Sequence, residues 1–155
     1  MGFFRTSGAA AAGTVSKKRT KNVATLIEEN AKLLQRIVRM KAAIEAGSTM
    51  IQCVACGKWA DYRDMDGAHW ISRTYTATKL TRENVHPQCQ SCNRLRPDEI
   101  EADYTQFMIR TYGDKFVAEL TERKYQVTKY SRAELEAMRD ELEQEISFLE
   151  EMMPA

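Results

Sequence analysis

From Val23 to Gly47 apolar side chains recur three and four residues apart, at Val23, Leu26, Leu33, Ile37, Met40 and Ile44, which predicts one long amphipathic helix. Gly47 takes the left-handed conformation easily and marks its end. Asn30 falls on the same stripe. Val23, Asn30, Ile37 and Ile44 then share one heptad position and Leu26, Leu33 and Met40 the other, as in a two-stranded parallel coiled coil with a single buried Asn. Ile27, Leu34 and Val38 widen the stripe beyond a strict seam, which is the pattern of a helix packed on its own domain. The pattern leaves both arrangements open.

The period then shortens. IQCVACGKW predicts a short strand entering a turn, WADYRD and AHWIS predict the strands of a hairpin, the polar stretch 75–83 a loop, and a short helix starts near Cys89. After Pro97 the helical period returns. PDEIEADYTQFMIRTYG has Pro and acidic residues in its first turn and closes on Gly113; DKFVAELTERK predicts a second helix. In SRAELEAMRDELEQEISFLEEM, Ser131 and Glu134 make a capping box, and Leu135, Met138, Leu142, Ile146, Leu149 and Met153 line one face. That face suits either the first helix or another subunit. No repeat of roughly 20–50 residues appears.

These segments divide the 155 residues into an arm (1–20), an N-terminal helix (21–47), a cysteine-bearing core (48–96) and a helical C-terminal region (97–155). The expected class is small α+β. Hydrophobic residues make up 43%, yet no run approaches the ~20 needed to span a bilayer, so neither a membrane span nor a membrane partner is expected. MGFFRT carries Gly2 and Thr6 in the spacing of a myristoylation site, but bulky Phe3 suits one poorly. SKKRTK follows the Ala stretch, where a signal peptide would have its charges first. Residues 1–20 therefore read as a flexible basic arm of an intracellular protein.

The net charge of +1 conceals a gradient. Residues 1–50 hold nine Lys/Arg against three Asp/Glu and 51–96 seven against four, whereas 97–130 hold five against seven and 131–155 two against eight. A basic front half with an acidic tail is the asymmetry of a chain that meets a polyanion such as nucleic acid.

All four cysteines fall in two Cys-x-x-Cys pairs, Cys53/Cys56 and Cys89/Cys92. A two-residue gap lets a tight turn aim both thiolates at one tetrahedral Zn²⁺, and two such turns close its coordination sphere. A closed four-sulfur site is structural, because it keeps no position for substrate. The segment between the pairs exceeds the ~15–20 residues of a plain four-cysteine ribbon. It contains both histidines, His69 and His86, with Asp61, Asp64 and Asp66 shortly before the first. A concentration of His, Asp and Asn inside a metal-pinned loop points to a functional site.

DGAHWISR followed by ENVHPQCQSCN resembles the HNH, or ββα-metal, nucleases: a His on the first strand, an Asn in the following loop, and a final Asn just after the Cys-x-x-Cys that opens the helix. More narrowly, CVACGKW, the Asp-x-x-His of Asp66 to His69, NVHPQCQSCN and YGDKFVAEL resemble the NinG, or Rap, proteins of lambdoid bacteriophages. The resemblance implies a zinc-stapled ββα-metal core flanked by helices. It also implies a recombination endonuclease cutting branched DNA, such as Holliday junctions and D-loops, in the bacterial host cytoplasm.

On that resemblance the catalytic set is His69, Asn84, Asn93, Asp66 and His86. Hydrolysis of a phosphodiester needs an activated water and a cation on the phosphate oxygens. His69, with a reference pKa of ~6.5, suits the base. The Asn93 carboxamide oxygen suits Mg²⁺ or Mn²⁺, and Asn84 would brace the loop and orient His69. Many HNH nucleases carry an Asp or His ligand immediately before the catalytic His, where this chain has Ala68. Asp66 is the nearest substitute. It shares a face with His69 only if the strand bends or bulges at Gly67; His86 is the other candidate.

Arg73, Lys79, Arg82, Arg94 and Arg96 are expected to neutralise DNA phosphates. Two symmetric cuts in a four-way junction call for a homodimer, for which the 23–44 heptads offer an interface. Two other readings use the same features: a non-catalytic zinc module that binds DNA, and a helical adaptor in which zinc only stabilises the fold.

Overall fold

The computed structural model describes residues 19–155, so nearly all of the expected arm lies outside the described residues. Helix α1 (Val23–Ala46) starts where the Asn22 side chain accepts the Thr25 N–H at 2.8 Å and stops at Gly47, whose φ of 61° is the left-handed turn expected there. Strand β1 (Met50–Gln52) pairs antiparallel with β2 (Trp59–Asp61), and β3 (Met65–His69) with β4 (Val85–Cys89). A short helix α2 (Thr76–Lys79) and a 3₁₀ turn (Arg82–Asn84) fill the β3–β4 connection, and a wide π-type turn (Ser91–Leu95) follows β4.

Helices α3 (Pro97–Tyr112), α4 (Asp114–Arg123) and α5 (Arg132–Met152) complete the chain. The capping box on α5 is present in both directions, Ser131 Oγ accepting the Glu134 N–H and Glu134 accepting the Ser131 N–H. The architecture is small α+β with two two-stranded sheets. No helix among the described residues is long and apolar enough to cross a membrane.

Strand pairing differs from the hairpin read in WADYRD and AHWIS. Its first part, β2, returns on β1, because the Cys53–Cys56 turn reverses the chain: Cys53 N–H donates to Lys58 O and Gly57 N–H to Cys53 O. Strand β3 waits for β4, sixteen positions beyond its last residue, which the sequence showed only as VHPQC.

Helix α1 lies between two cores. On one side Ile37 and Met40 meet Leu142, Ile146 and Leu149 of α5, with Leu33, Ile44, Met138 and Met153 at the edges. Asn30 is fully buried and donates to the Leu135 carbonyl at 3.0 Å. From Leu26 onward the stripe with coiled-coil spacing is thus covered within the chain, at about 2 kcal/mol for each large apolar side chain removed from water, and only Val23 at its start stays exposed. On its other side α1 lies on the β3–β4 hairpin, where Gly67 is required: a Cβ there would lie 2.6 Å from Gln35 Cα. The second core joins Ala43, Met65, Ala68 and Ile71 to Ile100, Tyr104, Met108 and Leu120 of α3 and α4.

Candidate active site and metal centre

The β1–β2 turn and the end of β4 bring the two cysteine pairs together. One thiol sulfur from each of Cys53, Cys56, Cys89 and Cys92 lies within 4.8 Å of the other three, and none is in a disulfide. Tetrahedral Zn–S bonds of ~2.3 Å separate sulfurs by about 3.8 Å, the Cys56–Cys89 Sγ distance being 3.8 Å. Burial and the neighbouring thiols push the Cys92 thiol up. Four sulfurs so close together would repel as thiolates without a cation among them, and the donor set fits a structural zinc.

His69 ends β3. Its Nε2 donates to the Lys79 carbonyl at 2.8 Å, which fixes the neutral tautomer and leaves the lone pair on Nδ1; that atom is buried with no hydrogen-bond partner. Burial, then the charges of Arg73 and Lys79, hold its pKa below the ordinary histidine value against the pull of the carbonyl bond. Asn84, fully buried, holds the surrounding loop: its Oδ1 accepts the Ile71 N–H at 2.7 Å and its Nδ2 donates to the carbonyls of Ile71 and Thr78, both at 3.1 Å. It therefore ties the residues just after His69 to the one just before Lys79.

Asn93 lies in the π-type turn directly after Cys92. Its Nδ2 donates to Asp66 Oδ2 at 2.9 Å, and its Oδ1 accepts no hydrogen bond from the described residues. His69 and Asn93 line one cleft of about 610 Å³ with Trp70, Asp98, Glu101, Tyr104 and Lys124. Asn93 also lines a second, strongly polar hollow with Asp66, Arg39, Arg63, Arg73 and Arg94.

Strand β3 pairs in regular register with β4 from Met65 to His69, with no bulge at Gly67, so Asp66 and His69 face opposite sides of the hairpin. Asp66 meets Asn93 and Arg94 instead. Arg94 forks onto it at 2.8 and 2.6 Å. Burial alone would raise the Asp66 carboxyl, but Arg94, Asn93 and nearby Arg39 pull it below the usual carboxylate range. The Asp66 carboxylate is thus taken up by Arg94 and Asn93 and turned away from His69, which corrects the expectation that it completes a metal site beside His69.

His86 has no nitrogen left for a metal or a water. Tyr104 O–H donates to the Ala68 carbonyl at 2.8 Å, so His86 Nδ1 donates to the Tyr104 oxygen at 3.1 Å, and Nε2 accepts from Tyr112 O–H at 2.8 Å. Phe107 closes the cage at 4.9 Å between ring centres. Burial pushes the His86 pKa down to about 4. Its place in the structure is that of a neutral core residue, which corrects the expectation of a ligand.

The five expected DNA cations all meet acids of this chain. Arg73 and Lys79 pair with Glu28, Arg82 with Glu145, Arg94 with Asp66, and Arg96 with Glu99 at 3.8 Å. Sequence reasoning missed Arg39, which donates from α1 to the Met65 carbonyl at 2.9 Å, and it missed Trp70, Tyr104 and Lys124. Their partners lie too far along the chain to leave a local signal.

The sequence matches the family described as Bacteriophage Lambda NinG protein over residues 7–151. No curated protein and no solved structure matches it.

Proposed function

The chain belongs to the bacteriophage Lambda NinG protein family, and from that premise we propose that it is a metal-dependent endonuclease that hydrolyses phosphodiester bonds in branched DNA within the host cytoplasm. The observation that carries this reading is the environment of His69. A buried acceptor without a partner costs free energy, and such atoms concentrate where chemistry uses them. Here the orphan is the lone pair of a neutral imidazole whose other nitrogen is anchored and whose cleft also contains Asn93.

In this proposal Nδ1 of His69 takes the proton of the attacking water, and the Lys79 carbonyl stabilises the imidazolium through the Nε2–H bond. Asn84 fixes both backbone segments that set the ring. Asn93, through its Oδ1, would hold a Mg²⁺ or Mn²⁺, which would supply positive charge on the phosphate oxygens; Asp66, on the other side of the hairpin from His69 and held by Arg94, positions the Asn93 amide instead. The β3–β4 hairpin followed by a helical turn supports the reading of an HNH-like core, and the cysteine cluster ties the C-terminal end of β4 to the β1–β2 turn, directly before Asn93. Two symmetric cuts need two sites, so we retain a homodimer. Its interface has to lie away from the α1 stripe, which α5 covers.

The experiment compares a four-way junction with a linear duplex of matched sequence, with and without Mg²⁺. Metal-dependent nicks near the branch are expected. His69→Ala should slow cutting by roughly 10²–10⁴-fold with binding retained, the usual scale of a lost general base. Undiminished cutting in that variant removes His69 from the role. Binding with no cut in Mg²⁺ or Mn²⁺ returns the chain to a zinc-containing DNA-binding module.

A further inference from the structure

We propose that Tyr75, Lys124 and Tyr125, at the mouth of the His69 cleft, hold an unpaired base and its phosphate, so that the protein recognises single-stranded DNA next to the scissile bond. The inference rests on the nuclease reading for its purpose, but its geometry stands apart from His69. Lys124 Nζ sits 5.1 Å from the centre of the Tyr75 ring and 4.9 Å from that of Tyr125, and the two rings meet edge to face at 6.1 Å. Tyr75 and Lys124 line the cleft with His69 and Asn93.

Two features separate this cluster from ordinary surface packing. Tyr125 is 72% exposed, although an aromatic ring gains most from being covered. Among the described residues lining the cleft Lys124 is the one Lys or Arg, against the carboxylates of Asp98 and Glu101, and no carboxylate among the described residues reaches ion-pair distance of it. The cations that sequence alone nominated are all held by acids. An ammonium that sits over the Tyr75 and Tyr125 rings without a carboxylate partner, next to a largely exposed Tyr125, matches a nucleotide whose base stacks on the exposed part of the Tyr125 ring and whose phosphate is within reach of the cation. In a duplex the base faces are already stacked on one another. The cluster therefore distinguishes strands with unpaired bases, which branch points supply, from continuous duplex.

The test measures fluorescence anisotropy of a labelled mixed-sequence single strand and of the corresponding duplex, using the full chain without added Mg²⁺ or Mn²⁺. Tyr125→Ala should weaken single-strand binding about tenfold, the scale of one lost base–aromatic stack, and duplex binding by less than about twofold. Tyr125→Phe should bind as the parent does. Lys124→Gln should weaken binding and flatten the dependence of log K on log salt for the single strand by about 0.7. Thermal midpoints of the two Tyr125 variants should match the parent, since that side chain is exposed, and that of the half-buried Lys124→Gln should fall only slightly.

Single-strand affinity unchanged in Tyr125→Ala, equal losses on both DNAs, or no single-strand binding by the parent chain would each overturn the inference. Because no cutting is measured, failure of the nuclease proposal and failure of this one are read separately. A protein that never cuts but shows the Tyr125-dependent preference loses the first and keeps the second.

Discussion

The two histidines of this chain are both held neutral, and for the same first cause, burial. What differs is the second nitrogen. In His69 it has no partner, whereas in His86 Tyr104 and Tyr112 occupy both positions. The sign of the stability effect follows from the direction of the shift. A histidine whose folded pKa lies below its unfolded value binds more protons when unfolded, so its contribution is complete above about pH 6.5 and is lost as pH falls toward the folded pKa. For His86, with a folded pKa of about 4, the loss between pH 7 and pH 5 is about 2 kcal/mol, and it comes before most carboxylates titrate. His69 adds a part of the same sign. Urea unfolding at several pH values should show this decline in the parent chain and a flatter profile in His86→Gln. An equally steep profile in that variant would place the titrating group elsewhere.

At the scale of elements, His69 depends on how closely α1 rests on β3. Gly67 lies two residues before His69 on the same face of the strand, and a methyl group there would meet Gln35 at 2.6 Å from both Cα and Cβ and 2.7 Å from its carbonyl oxygen. The obstacle is backbone, which cannot rotate away. Gly67→Ala should therefore destabilise the fold by about 3 kcal/mol, the upper part of the usual overpacking range, and should reduce any cutting activity through displacement of His69. Chemical denaturation checks the first effect, and a change below about 0.5 kcal/mol would show that α1 yields freely.

The same contact explains what the sequence could and could not reveal. Helices α1, α3, α4 and α5 were legible because their apolar period and end signals are local. So were the cysteine pairs, whose two-residue gap is itself the geometry. Strand β4 was not: all five residues of VHPQC are buried, so no alternation of apolar and polar positions marks it. Its partner was misassigned because β2 is turned back onto β1 by a cysteine knuckle. The aromatic cage that removes His86 from the chemistry comes from Tyr104, Phe107 and Tyr112 on α3, far along the chain. His69, Asn84 and Asn93 became candidates through the concentration of His, Asp and Asn between the cysteine pairs and were given roles by the resemblance to a nuclease pattern, and the Arg94–Asp66 fork lay outside both.

Across the whole molecule the charge gradient has a largely internal answer. The acidic C-terminal helix lies on the basic front half: Glu145 takes Arg82 and Lys41, and Glu150 takes Arg36. Glu28 of α1 in turn takes Arg73 and Lys79, beside His69. The asymmetry that predicted a polyanion partner is thus partly neutralised within the fold, and the phosphates of the proposed DNA partner would have to compete with these carboxylates. Exposed pairs such as Arg73–Glu28 contribute roughly 0–1 kcal/mol each to stability. Glu28→Gln should release Arg73 at the edge of the proposed active site, whereas Lys79 stays largely buried. DNA affinity at low salt should rise, and the slope of log K against log salt should steepen by about 1, one counterion for the new phosphate contact. Glu145→Gln is the comparison, because Lys41 and Arg82 line a separate hollow that includes neither His69 nor Asn93. If DNA follows the His69 side, the Glu28 variant gains more than the Glu145 variant. Equal gains would mean that binding reports net charge alone, and a larger gain in Glu145→Gln would move the DNA path to the other face of the molecule.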